Sequence, residues 1–317
     1  MHILITGGAG FIGSNLADSL LAQGHKITVI DNFNDYYNPE IKEANVANNL
    51  NNPNYKLYRQ DIEDLQKLKQ IFTENKFDVV VHLAARAGVR PSLENPIAYV
   101  KTNIEGTVNI LECMKDTDVK KLVFASSSSV YGNCKSEMFS EDLKVTEPIS
   151  PYAATKSSCE QIIYTYMHLY GINSVCLRFF TVYGPRQRPD LAITKFTNRI
   201  LQNQAIDMYG DGTTKRDYTF IRDIVAGITK AIEYNATPYE IINLGGGEPI
   251  TLKNMIATIE DTLGIKAIIN QMPMQPGDVE KTVCDWSKAH RLLGYTPSTT
   301  FANGIKEFIK WKTGGKN

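Results

Sequence analysis

The segment HILITGGAGFIG, residues 2–13, is a β-branched apolar run that ends on a glycine cluster and passes straight into an amphipathic stretch. It satisfies GxxGxxG through Gly7, Gly10 and Gly13, and GxGxxG through Gly8, Gly10 and Gly13. Glycine is needed at such a junction for three reasons: the turn requires unusual backbone angles, a pyrophosphate must approach bare backbone, and the helix must lie close on the strand. The amides that open the helix then direct partial positive charge at phosphate. The next run, KITVI, leads into Asp31, about 20 residues beyond the glycines, where a carboxylate accepts adenosine ribose hydroxyls. That charge repels a 2′-phosphate, so the expected cofactor is NAD rather than NADP. Gly7, Gly10, Phe11, Ile12, Gly13, Asp31 and Asn32 form the first part of this predicted site. Asp61, in YRQDI, either meets the adenine amino group beside Ile62 or caps the following helix.

The same alternation continues through the first half of the chain. Strand-like runs are KITVI from Lys26, YKLY from Tyr55, VVVHLA from Val79, KLVFAS from Lys121 and SVCLRFF from Ser174, with helical patterns at 11–21, 65–72, 97–114 and 157–169. Strands that are apolar throughout and separated by helices predict a Rossmann-type, doubly wound α/β fold with a parallel sheet covered on both faces. After Phe180 the rhythm weakens and Pro and Gly become frequent, in TVYGPRQRPD and MYGDGTTKRD. A helix at 221–234 and the strand EIINL from Glu240 are expected to return to the first sheet, with peripheral helices at 251–263 and 301–312. The expected division is residues 1–180, with a returning segment at about 218–245, as the dinucleotide lobe. Residues 181–217 and 246–317 form a smaller, interleaved α/β substrate lobe. The Asn-rich stretch 32–54 reads as solvated loop and weak helix.

Composition narrows the class. A chain of 317 residues allows about two lobes with ample core. Lys plus Arg and Asp plus Glu are 34 each, a balance without the cationic excess of a nucleic-acid binder. No apolar run approaches the ~18 residues that would span a bilayer. The five cysteines are odd in number and scattered, with no CxxC pair and no metal-ligand spacing to His, which predicts no metal site and a reducing compartment. MHILITGGAG begins a strand at once, with no leader-like segment, so a cytoplasmic location is expected.

YAATK places Tyr152 and Lys156 on one face of a predicted helix. A phenol with a pKa of ~10 is a poor base near neutrality, and a neighbouring ammonium stabilises its phenolate. FASSSSVYG carries a serine cluster to the C-terminal end of the fifth strand, where open α/β sheets place their ligand crevice. Asn103, in YVKTNIEGT, lies on a helix approaching the same crevice.

Taken together, GGAGFIG, HLAARAGVRPS, NIEGT, SSSSVYG, YAATK and RDYTFIRD resemble the extended short-chain dehydrogenase/reductases, particularly the nucleotide-sugar 4-epimerases, over essentially the whole chain. The resemblance implies that Tyr152 is the acid/base, that Lys156 binds the nicotinamide ribose and lowers the tyrosine pKa, and that Ser127 bonds the reacting sugar hydroxyl. Ser128 and Ser129 remain rivals for that last role. Leu83, Ala84, Ala85 and Asn103 complete the implied cofactor contacts. A homodimer through the helices near 97–114 and 157–169 is also implied, although an apolar helix face equally suits a core.

The residues after Ser127 discriminate among reactions. Sugar 4,6-dehydratases resemble a Thr-Asp-Glu pattern there, and UDP-glucuronate decarboxylases usually keep a glutamate, whereas Ser128 and Ser129 carry no carboxylate. Oxidation and re-reduction at C4 of a UDP-sugar is therefore the expected reaction. In the substrate lobe Arg216 matches an arginine facing the diphosphate, or is a surface ion pair, and Asp278 matches an acid near the uridine ribose. Gln275 stands where many UDP-galactose epimerases have arginine. In RFFTVYGPRQRPD, Thr181 replaces the asparagine of the simple hexose epimerases and is followed by Arg186 and Arg188. This resembles the UDP-glucuronate 4-epimerases, in which a threonine and an arginine engage the C6 carboxylate. A guanidinium offers that carboxylate two parallel bonds. Arg188 is the expected ligand, with Arg186 on the phosphates, although both arginines can instead merely neutralise a diphosphate. Arg86 and Arg90 also follow the fourth strand within reach of phosphate or sugar. The competing functions are UDP-glucose or UDP-N-acetylglucosamine 4-epimerase, UDP-glucuronate decarboxylase, and a non-catalytic NAD-binding module.

Overall fold

In the computed structural model, which describes residues 1–273 and 281–315, the apolar runs assemble into one seven-stranded sheet whose neighbours all pair in parallel. Its strands are β1 (His2–Thr6), β2 (Lys26–Asp31), β3 (Tyr55–Arg59), β4 (Val79–His82), β5 (Lys121–Ser127) and β6 (Asn173–Phe179), joined later by β10 (Tyr239–Leu244). The order is β10-β6-β5-β4-β1-β2-β3. Strand order reverses between β1 and β4, and a ligand crevice opens beyond the carboxyl ends at such a reversal.

Period-two alternation divides the core between the two faces of the sheet. Ile3, Ile5, Val29, Val81, Val123 and Val175 pack with Leu16 and Leu20 of helix Phe11–Ala22 and with Ile224 and Ile228 of helix Ile221–Glu233. Leu4, Ile30, Val80, Leu122 and Cys176 face the other way, onto helices Leu65–Glu74, Gly106–Lys115 and Pro151–Tyr170. Both faces are therefore covered, as expected for strands with no polar face.

The remaining strands are short: β7 (Thr181–Tyr183), β8 (Ile206–Tyr209), β9 (Lys215–Phe220), β11 (Pro249–Thr251) and β12 (Ile269–Met272). They form a β11-β9-β7 sheet and a β12-β8 pair. β7 begins two residues after β6 ends, so the chain passes from one sheet to the other across the crevice.

Three local expectations need correction. The helix expected at 97–114 is split into Pro96–Tyr99, a wider π turn at Val100–Glu105, and Gly106–Lys115. Within the turn Thr102 Oγ1 donates to Glu63 at 2.7 Å and Asn103 bonds the Arg86 backbone, so tertiary partners hold this segment away from ideal helix. The pattern at 157–169 and the helix expected for Tyr152 and Lys156 are one helix from Pro151, because Ser150 Oγ accepts from the Ala153 amide at 3.1 Å and proline suits the first turn. The Asn-rich stretch contains a capped helix, Pro39–Val46, and its buried Asn45 donates to the Ala9 carbonyl at 3.0 Å. That asparagine braces the glycine turn instead of meeting solvent.

Candidate active site

The glycine turn is sterically committed. Gly7 has φ 71°, and a Cβ there would lie 2.8 Å from the Ala84 backbone. A Cβ on Gly13 would lie 2.4 Å from the Gly7 carbonyl oxygen, which explains why the third glycine permits the helix to start so close to the strand. Helix Phe11–Ala22 has no side-chain cap and no acid in its first turn. Its opening amides are orphan donors that favour an anion. The turn, with Gly7, Gly10, Phe11, Ile12 and Gly13, forms one end of a cavity that continues to Tyr152.

At the carboxyl end of β2, Asp31 is 7% exposed and borders the same cavity. Its oxygens accept from the Ala9 amide at 3.1 Å and the Phe33 amide at 2.9 Å, which fixes the carboxylate where ribose hydroxyls would approach. A bare glycine cradle, an uncapped helix start and a positioned acid together fit NAD. Asn32 and Ile62 border the cavity; Asp61 does not, and instead binds the Asn32 amide at 2.7 Å and the Glu63 amide at 2.9 Å. Lys42, absent from the sequence reading, is the unexpected member. It is 5% exposed, 3.7 Å from Asp31, and bonded to Asn34. The Asn38-Pro39-Glu40 start of its helix is a legible signal for the helix, not for the burial of the lysine.

Leu83, Ala84, Ala85 and Arg86 continue the cavity wall after β4. Asn103 is buried behind that wall. Its side chain accepts from the Arg86 amide at 2.8 Å and donates to the Arg86 carbonyl and to Thr155, each at 3.0 Å. It clamps the backbone between wall and catalytic helix, and is not among the cavity-lining residues.

Tyr152, Lys156 and the serines Ser127, Ser128 and Ser129 meet at the far end. Burial raises the Tyr152 phenol above its usual pKa, and the Ser127 hydroxyl and the charge of Arg188 work against that rise. Lys156 is 3% exposed, donates to the Ala125 carbonyl at 2.7 Å and lies over the Phe124 ring. Burial pushes its pKa down to about 8. Ser127 Oγ bonds Ser129 Oγ at 3.1 Å, so the two hydroxyls share one small network.

Thr181, at the start of β7, and Arg188, in the segment after it, border the same cavity. The Arg188 guanidinium lies 5.3 Å from the Tyr36 ring centroid, and Tyr36, also missed by the sequence reading, donates to the Ala87 carbonyl at 2.8 Å. Arg188 is not an open fork: Nε and Nη2 donate to the two oxygens of Asp190 at 3.0 and 2.8 Å. Arg186 turns away and pairs with Asp18 at 2.7 Å, on the outer part of the first helix, where the sequence reading placed it on phosphate. Arg90 is exposed over the Tyr209 ring, and Arg216 donates to the Lys215 carbonyl; neither borders the cavity. Asp278 and Gln275 lie outside the described residues.

A family model described as GDP-mannose 4,6 dehydratase matches residues 4–308. A UDP-glucuronate 4-epimerase of Thermodesulfobacterium geofontis is 45% identical, covering 98% of this chain and 95% of that protein. The crystal structure of UDP-glucuronic acid 4-epimerase from Bacillus cereus, in complex with UDP-glucuronic acid and NAD, superposes with a TM-score of 0.93 at 37% identity over 99% of both chains. The UDP-glucose 4-epimerase of Thermotoga maritima, solved with UDP-glucose, gives a TM-score of 0.91 at 32% identity over 100% of both.

Proposed function

Because the chain belongs to the extended short-chain dehydrogenase/reductase family, in the group described by the GDP-mannose 4,6-dehydratase model, we propose that it is an NAD-dependent UDP-sugar 4-epimerase converting UDP-glucuronate to UDP-galacturonate. The observation that carries the choice of sugar is Arg188, a sheltered guanidinium bordering the same cavity as Tyr152 and Thr181. The absence of carboxylates at Ser128 and Ser129 supports epimerisation over dehydration, which needs an additional acid and base.

NAD, when bound, supplies a hydride acceptor at C4 that returns the hydride to the resulting ketone. Tyr152, as phenolate, takes the C4 hydroxyl proton and later gives it to the oxygen of the turned 4-keto sugar. Ser127 bonds that oxygen in both alcohol and ketone forms. Lys156, buried and donating to the Ala125 carbonyl, would hold the nicotinamide ribose and supply positive charge to the site. Arg188 and Thr181 hold the C6 carboxylate away from the alignment in which a β-keto acid loses carbon dioxide.

Purified holoenzyme incubated with UDP-glucuronate is expected to give UDP-galacturonate, followed by anion-exchange chromatography. UDP-pentose with carbon dioxide, or turnover of UDP-glucose alone, contradicts the reading. The Arg188–Asp190 pair gives the second reading, a neutral-hexose epimerase, its one specific support, since it leaves the guanidinium already compensated.

We further place the protein in the cytosol as a homodimer. All five cysteines are unpaired thiols, and four of them are buried, which suits a reducing compartment. No helix among the described residues is long and apolar enough to cross a membrane. Ile97 (78% exposed), Val100, Tyr164 and Leu169 present apolar surface on adjoining helices, the kind of face a second copy covers. Light scattering is expected to show a dimer that Ile97→Glu with Tyr164→Glu converts to monomer; an unchanged mass for the double variant contradicts this interface.

A further inference from the structure

A guanidinium that is to recognise a hexuronate carboxylate needs two parallel N–H donors. In Arg188 one such edge, Nε with Nη2, is taken by Asp190, at 3.0 and 2.8 Å. The two partners differ in shelter. The Arg188 side chain is 17% exposed and stacked near Tyr36, whereas the Asp190 side chain is 42% exposed. Leaving the sheltered cation unpaired is costly, and releasing the half-solvated carboxylate is cheap.

The loop that carries them is anchored independently of the pair. Gln187 is buried, donates to the Val182 carbonyl at 3.1 Å and accepts from Thr194 Oγ1 at 2.9 Å. The Leu191 amide donates to the Arg188 carbonyl at 3.3 Å. Loss of the Asp190 carboxylate therefore removes a partner without releasing the loop.

Resting on the reading that the substrate is a UDP-hexuronate, we propose that Asp190 is a stand-in for the substrate carboxylate, occupying the Arg188 fork until the C6 carboxylate takes its place. Arg188 is paired before, during and after turnover, and only the identity of the carboxylate changes. Asp190 is thus a specificity-determining residue that acts through Arg188. It competes with uronate substrates and is indifferent to sugars that carry no C6 charge, because those leave the pair intact.

The test compares Asp190→Asn and Asp190→Ala with the wild-type holoenzyme on UDP-glucuronate and UDP-glucose. Removing the competitor is expected to lower KM for UDP-glucuronate about fivefold, the worth of a well-aligned pair near the surface. KM for any UDP-glucose turnover, or its Kd where there is none, stays within about twofold, a split that a merely structural role would not produce. An unchanged or raised KM for UDP-glucuronate in both variants, with the wild type turning that substrate over, overturns the exchange while leaving the epimerase reading intact. Inertness of the wild type toward UDP-glucuronate overturns both.

Discussion

Replacing Tyr152 by phenylalanine is expected to cut kcat by about 10³-fold, within the range general acid–base groups contribute. The ring itself is retained, so its edge contact with Tyr99, at 6.2 Å between centroids, survives. What disappears is the oxygen assigned to take and return the C4 proton. Lys156, Ser127, the glycine turn and Asp31 are untouched, and NAD should remain bound. Turnover measured beside cofactor content separates the two effects. Turnover within tenfold of wild type would assign the proton transfer to another group. Loss of NAD along with activity would instead make the tyrosine a cofactor ligand first.

The second large effect lies outside the cavity. Arg178 on β6 and Glu160 on helix Pro151–Tyr170 form an ion pair at 2.7 Å whose side chains are 2% and 3% exposed. Glu160 also accepts from Ser126 at 2.5 Å and from Arg178 Nε at 2.9 Å. The pair ties the catalytic helix to the two strands on which Ser126 and Arg178 sit. Arg178→Met leaves a carboxylate buried without its counter-charge, a loss of about 3–5 kcal/mol. Glu160→Leu combined with Arg178→Met removes both charges and is expected to cost much less than the sum of the single changes. Urea denaturation of the two single variants and the double variant checks this. A single-variant loss below about 1 kcal/mol would mean that the helix is held by its apolar contacts alone.

Much of the architecture was legible because it rests on local rules. The strand runs are apolar on both faces, and Leu4 between Ile3 and Ile5 goes to the opposite core, as alternation requires. The glycine turn and Asp31 were readable since each has a backbone or charge requirement that few residue types meet. Helical spacing put Tyr152 and Lys156 on one face, and the family resemblance implied their roles. What escaped depends on where distant segments meet. Nothing around Lys42 signals that it will be buried beside Asp31, and nothing in NIEGT reveals that Asn103 spends its amide on the Arg86 backbone. Arg188 was expected on the carboxylate and Arg186 on phosphate, yet Arg186, with a left-handed backbone at φ 69°, pairs with Asp18 while Arg188 borders the cavity. Asp190 stood in the quoted RQRPD segment, but only its geometry shows that it fills the Arg188 fork.

The return of the chain to its first sheet has a consequence for how such a protein can change. β10 pairs with β6 after the chain has already built β7, β8 and β9 elsewhere. The seven-stranded sheet is not built from one contiguous stretch, so it cannot be exchanged as a cassette by a single crossover without leaving a gap in its parallel order. New sugar preferences must then arise by substitutions in place, and the seven residues from Gly184 to Asp190 are short enough for that to happen one side chain at a time.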